Sequence, residues 1–182
     1  MPPTDSNPLC LECGLCCNGV IFADGQLRPA DDVARLQSLG LRIAANQKSK
    51  INDQKFLQPC GALDGCRCRI YADRPKYCRA FECLLLKHVK AGRMKTDAAL
   101  RVVGTARQRA DIVRRLLREL GDHAEDVALS LRFRRMKRRL EANLPDEATA
   151  ETFGRLTLTV HELNLLLSDA FYPGAGPEQE RF

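Results

Sequence analysis

Cysteine placement constrains this chain more than any other feature. Nine cysteines (Cys10, Cys13, Cys16, Cys17, Cys60, Cys66, Cys68, Cys78 and Cys83) stand in the first 83 of its 182 residues, and the last 99 hold none. Thiols so crowded either pair as disulfides or hold metal, and the redox compartment decides between the two. The opening residues, MPPTDSNPLC, lack the basic start and continuous apolar run of a secretory signal. No apolar stretch approaches the roughly 18 residues needed to span a bilayer. The expectation is therefore a cytoplasmic chain with no membrane segment, where thiols stay reduced and free to ligate metal. An odd number of cysteines also fits pairwise oxidation poorly.

The spacing sharpens this reading. In Cys10-Leu-Glu-Cys13-Gly-Leu-Cys16-Cys17, three cysteines follow at two-residue gaps and a vicinal fourth closes the run. Two intervening residues suit a tight turn whose backbone N–H groups point at sulfur, and Gly14 and Gly19 can adopt the positive φ such turns require. Cys60, Cys66 and Cys68, then Cys78 and Cys83, return roughly 45 to 65 residues later to complete the set. All nine are candidate metal ligands, and at least six sulfurs are expected to converge on one site or two adjacent ones. Soft thiolates without a nearby histidine select zinc, iron–sulfur clusters or Cu(I) over hard cations. The histidines His88, His123 and His161 all lie beyond the cysteines. The C-x2-C-x2-C start also matches a bacterial iron–sulfur pattern, although Cys17-Asn18 replaces its x3-C-P ending, so spacing leaves zinc and iron both open. A tetrahedral zinc takes four ligands, so nine thiols serve two ions with one spare, or three ions with bridging sulfurs. Adjacent Cys16 and Cys17 diverge and argue for more than one metal. Cys78 and Cys83 would sit about 140° apart on a continuous helix, so either the helix begins later or they serve different metals.

The run Cys10–Cys17, together with Cys60, Cys68-Arg-Ile-Tyr-Ala-Asp-Arg-Pro75 and Cys78-Arg-Ala-Phe-Glu-Cys83, resembles the CxxCxxCC (YkgJ-like) family of zinc- or iron-chelating proteins. The resemblance covers roughly residues 10–85. It implies a metal-binding role for Cys10, Cys13, Cys16, Cys17, Cys60, Cys68, Cys78 and Cys83, and it implies no defined reaction. Cys66 stands outside the pattern as a ninth thiol. A similar cysteine pattern occurs in flagellin lysine methylase, which implies an iron–sulfur centre tied to protein modification. Within the matched segment, Arg74 and Arg79 are placed either to stabilise a thiolate cluster by charge-assisted hydrogen bonds or to pair with Asp73 and Glu82. Tyr71 and Phe81 are expected to shield the site from water.

Composition changes near Lys90, and the expected division is a metal-binding module over 1–92 and a helical region over 93–182. The expected fold is mainly α: an irregular cysteine-rich module followed by an antiparallel helical bundle or hairpin. Short helices are predicted at Asp31–Ser38 and from Pro75 toward Val89. Long ones are predicted at Thr96–Leu120, Ala124–Asn143 and Asp146–Tyr172, the last with Phe153, Leu156, Val160, Leu163 and Leu167 at helical spacing. Strands are expected only at Val20–Phe22 and Arg69–Tyr71, and the final GAGPEQERF reads as a frayed tail. Residues 1–90 show little apolar periodicity, which predicts that metal supplies much of their folding energy.

Two functional readings follow. In one, the thiolate cluster is the working element, a zinc or iron centre, including an iron–sulfur cluster, that handles metal or electrons. In the other, structural zinc folds the module and a basic helical tail binds a protein or nucleic-acid partner. Arg132, Arg134, Arg135, Lys137, Arg138 and Arg139, preceded by Arg114, Arg115 and Arg118, supply that basic character within a formal net charge of +6. Only Phe133 interleaves them for base stacking, so a solvated face balanced by Glu141, Asp146, Glu147 and Glu151 is the expectation, and nucleic acid is disfavoured. No Ser–His–Asp arrangement, phosphate-binding glycine loop or H-E-x-x-H helix is present, and no catalytic residue is identified.

Overall fold

The computed structural model describes residues 8–44 and 54–172; the tail after Tyr172 lies outside them. Among the described residues there are seven α-helices and five short strands. The helices are α1 (Pro8–Cys13), α2 (Val33–Ser38), α3 (Lys76–Ala80), α4 (Leu84–Lys90), α5 (Thr96–Glu119), α6 (Leu129–Ala142) and α7 (Glu147–Ala170). The fold is mainly α, with the cysteine-rich region first and the long helices after it, as the sequence predicts. No described helix is long and apolar enough to cross a membrane.

Helices α5 and α7 form the frame. Ala99, Val103, Ala106, Ala110, Val113 and Leu116 recur at three- and four-residue spacing along α5 and are buried. Leu156, Val160, Leu163 and Leu167 do the same on α7. The alanines let the two backbones approach closely, so one apolar stripe seats against the other. The pair runs antiparallel: Arg109 of α5 donates to the Glu162 carbonyl at 2.9 Å, while Val103, earlier on α5, lines the same cavity as Phe171 just beyond α7. Asp146 caps α7 by accepting from the Thr149 N–H at 2.7 Å, and Gly121 ends α5 at φ +84°.

The strands differ from expectation. A three-stranded antiparallel sheet has the order β1 (Asp24–Gln26), β3 (Lys55–Leu57), β2 (Ile43–Ala44), and a hairpin joins β4 (Leu63–Asp64) to β5 (Arg67–Cys68). Val20–Phe22 is not a strand but a buried bend packed on the helices, and Arg69–Tyr71 is turn leading into a 3-10 segment at Tyr71–Asp73. Apolar runs of three residues fit a buried bend as well as a strand, which is why the pattern misled. Helix α6 starts at Leu129 rather than Ala124, because Asp122 turns its side chain onto the Ala124 N–H and holds residues 122–128 out of the helix.

Two apolar clusters result. The helical core gathers α5, α6 and α7 with Leu9, Leu15, Val20, Ile21, Phe22, Leu85 and Leu86 of the cysteine-rich region. It thus draws on both sides of the composition change near Lys90. The smaller sheet core holds Leu27, Leu36, Leu41, Phe56, Ala62 and Ile70.

Candidate metal centre

The cysteines are carried by turns that the local sequence dictates. Gly14 and Gly19 have φ of +64° and +77°, so the chain folds back after α1 and after Cys17. The Cys17 and Asn18 N–H groups both donate to the Gly14 carbonyl at 2.9 and 3.0 Å. A side chain at Gly14 would also strike the Cys66 backbone, 3.0 Å from its Cα. Cys60 is fixed by its N–H donating to the Cys17 carbonyl at 2.7 Å. Cys66 and Cys68 lie at the hairpin turn and on β5. Cys78 is on α3, whose first residue follows Pro75. The helix expected from Pro75 onward breaks at Phe81–Cys83, and Cys83 caps α4, its sulfur accepting from the Leu86 N–H at 3.4 Å.

All nine cysteine residues line one cavity of about 240 Å³. All are free, and each is half-buried. His88, His123 and His161 are not among the residues lining it. Aromatic side chains close it: Phe22, Phe56, Tyr71, Tyr77 and Phe81 contribute to the wall, with Phe22 edge-on to Phe81 at 4.8 Å and to Tyr77 at 5.9 Å. Tyr71 and Phe81 thus stand where a shield was expected.

Burial governs the thiols. It pushes Cys13 up to about 12, opposed by the Leu15 amide, and pushes Cys78 up to about 12 with help from Cys60 and Cys68. Cys16 and Cys17 rise further for the same reason, each reinforced by neighbouring thiols. Cys10, Cys60, Cys68 and Cys83 are also raised, chiefly by desolvation. A bare thiolate is therefore disfavoured at these eight positions. Backbone amides aimed at sulfur oppose this at four positions: Leu15 at Cys13, Ala62 and Leu63 at Cys60, Ile70 at Cys68, and Leu85 and Leu86 at Cys83. Arginines add to the opposition: Arg74 favours ionised Cys10, Cys68 and Cys78, and Arg42 and Arg69 favour ionised Cys60.

The arginines are held by carbonyls rather than by the expected acids. Arg74 stacks on Tyr71 with its guanidinium carbon 3.8 Å from the ring centre, and donates to the Tyr71 carbonyl at 2.8 Å. Arg79 donates to the Arg74 and Ala72 carbonyls. Asp73 pairs instead with Arg35 at 3.0 Å, and Glu82 with Lys90. Arg107 of α5 donates to the Glu12 and Cys13 carbonyls, which anchors the first cysteine turn to the helical frame.

Among the described residues, no three Cys, His, Asp or Glu side chains are drawn onto a common coordination point. Neutral thiols have no cause to converge on one another, since only a cation between them offsets the repulsion of their ionised forms. The donor set otherwise fits a soft metal ion: nine sulfurs and no imidazole, in an apolar cavity where amides already point at four of the sulfurs.

Arg132 and Arg139 of α6, with Arg114 and Arg118 of α5, are engaged within the fold, whereas Arg135, Lys137 and Arg138 are exposed on the solvated face that was expected. Arg132 is 1% exposed, and its Nε meets Asp122 at 2.8 Å while Nη1 lies 3.5 Å from Glu125. Arg139 donates to the Leu120 carbonyl, Arg114 to the Asn18 carbonyl at 3.3 Å, and Arg118 to Glu125 at 2.8 Å. Of the acids expected to balance this face, Glu141 pairs with Lys137 at 3.8 Å. Sequence reasoning missed Asp122 and Glu125, which lie in a turn without periodicity, and Arg42, Arg69 and Arg107, which approach the cavity from outside the cysteine motifs.

A family model described as a "putative zinc- or iron-chelating domain" matches residues 9–99, half of the chain and the segment holding all nine cysteines. No curated protein and no solved structure matches it. With that match over residues whose thiols surround one cavity, the chain belongs to the CxxCxxCC family.

Proposed function

We propose that this chain binds zinc or iron through thiolates drawn from Cys10, Cys13, Cys16, Cys17, Cys60, Cys66, Cys68, Cys78 and Cys83. The observation that carries the reading is that all nine cysteines, from three stretches of sequence, line one cavity. Burial keeps thiols such as Cys13 and Cys78 protonated, so they do not stand there as free anions. A soft cation stabilises the thiolate form. The chain's own part is to aim backbone amides at the sulfurs, to place arginine charge around them and to exclude water with an aromatic wall. A reducing, cytoplasmic setting accords with keeping nine thiols available. Iron as an iron–sulfur cluster and iron or zinc as single ions all suit an all-sulfur donor set.

Anaerobic purification of the full chain followed by elemental analysis and absorption spectroscopy tests this reading. Stoichiometric iron with charge-transfer absorption around ~400 nm assigns an iron–sulfur centre; a colourless protein with bound zinc assigns zinc. Protein that carries neither metal, and takes up neither on anaerobic reconstitution while still folded, would sink the proposal.

A further inference from the structure

Resting on the metal-binding reading above, we infer that eight thiols divide into two four-sulfur sites: Cys10, Cys13, Cys16 and Cys83 form one, Cys17, Cys60, Cys68 and Cys78 the other, and Cys66 belongs to neither. The first argument is packing. Cys10, Cys13, Cys16 and Cys83 lie against the helical core, whereas Cys60, Cys68 and Cys78 lie against the sheet core. Of the nine cysteines, only Cys17 and Cys66 pack on neither.

Cys17 is assigned by its neighbours. The Cys60 N–H donates to its carbonyl at 2.7 Å, which holds Cys17 against the second set. Cys16, one residue earlier, lies instead against the helical core with Cys10, Cys13 and Cys83. The vicinal pair therefore straddles the boundary, as adjacent side chains must when they diverge. The break between α3 and α4 likewise sends Cys78 and Cys83 to different sites, where a continuous helix would have placed them about 140° apart.

Each set of four satisfies a tetrahedral ion. Backbone amides serve two sulfurs in each: Cys13 and Cys83 in the first, Cys60 and Cys68 in the second. Each set also has its own cations, Arg107 and Lys90 beside the first and Arg42 and Arg69 beside the second, while Arg74 acts on members of both. Four thiolates around a dication leave two negative charges, which Arg107, Arg69 and Arg74 partly offset, Lys90 and Arg42 being paired with Glu82 and Asp126. Cys66 sits at the hairpin turn with its backbone against Gly14, a position that seats the hairpin on the first cysteine turn without requiring its sulfur.

Anaerobic zinc titration of metal-free full-length protein, followed by native mass spectrometry and cysteine alkylation mapping, tests the division. The wild type is expected to saturate at two Zn2+ per chain. Cys83→Ser and Cys78→Ser should each retain one ion, with alkylation opening the other three members of the affected set and sparing the opposite four. Cys66→Ser should keep both ions. Should a variant fail to fold by circular dichroism, the wild-type titration decides alone: protection should spread through each set of four in step. A third ion, loss of both ions from a folded single variant, loss of an ion from Cys66→Ser, or protection that crosses the two sets would overturn the division. Metal uptake with any of those patterns leaves the metal-binding reading standing, whereas no uptake of zinc or iron removes both.

Discussion

A buried thiol resists ionisation, and at Cys13 and Cys78 it resists until about pH 12. Metal uptake near neutrality must therefore expel protons, and affinity should rise with pH. In lightly buffered metal-free protein, zinc addition is expected to release close to one proton per ligating sulfur, read with a pH indicator; release well below one per sulfur would mean the thiols were already ionised. The same shifts fix the sign of stability. In the metal-free chain Cys10, Cys13, Cys16, Cys17, Cys60, Cys68, Cys78 and Cys83 are raised above the roughly 8.5 of an exposed cysteine. Their contribution is complete below that pH and is lost as pH climbs toward about 12. With metal bound the trend reverses, because protons compete for sulfur as pH falls. Thermal melts across pH should show the metal-free form weakening in alkali and the metal-bound form in acid. At this scale the cysteines were legible in the sequence, since thiol clustering has few meanings, and so were Tyr71 and Phe81, but Phe22, Phe56 and Tyr77 of the same wall were not. The arginines' partners were not: Asp73 and Glu82 are sequence neighbours of Arg74 and Arg79, yet Arg35 and Lys90 reach them in space.

Helices α5 and α7 were read with their boundaries nearly intact, because a long apolar stripe at 3.6-residue spacing admits one conformation. Of the shorter elements, the helix expected at Asp31–Ser38 stands as α2 at Val33–Ser38, while others escaped. The strands are two or three residues long, too short for alternation to show, and the six-residue α1 carries no stripe. The break at Phe81–Cys83 was legible only as an ambiguity in the spacing of Cys78 and Cys83, and the capping role of Cys83 explains it. A sulfur accepting an N–H at 3.4 Å is a weak cap. In metal-free protein, Cys83→Ser should therefore preserve α4, while Cys83→Ala should cost about 0.5–2 kcal/mol more than the serine variant in denaturant unfolding. Equal stabilities would show that residue 83 does not cap the helix.

Across the whole molecule, residues 1–90 bury more apolar surface than their weak periodicity suggests. The sheet core has Leu27, Leu36, Leu41, Phe56, Ala62 and Ile70, and seven further apolar side chains between Leu9 and Leu86 dock on the helices. Their spacing is irregular because turns rather than long elements bring them together, so periodicity could not reveal them. Metal removal should then loosen the cavity wall without unfolding the chain. Hydrogen exchange after anaerobic chelation is expected to accelerate at residues 10–18, 58–70 and 75–86 and to leave α5 and α7 protected. Unchanged protection at those wall residues in verified metal-free protein would deny the metal any structural role.

The anchoring of the first cysteine turn by Arg107 has a consequence in time. Arg107 lies 94 residues after Cys13, and Tyr172, whose hydroxyl donates to the Ile21 carbonyl at 3.3 Å, lies 151 residues after Ile21. Contacts so distant in sequence close late. During synthesis at about 5–20 residues per second, the ribosome needs several seconds after Cys83 to reach Phe171, whose carbonyl receives the Leu84 N–H. The nascent chain thus presents every thiol before it owns the helices that wall them in. The thiols are consequently most open to ions, and to oxidants, in the interval before α7 leaves the ribosome.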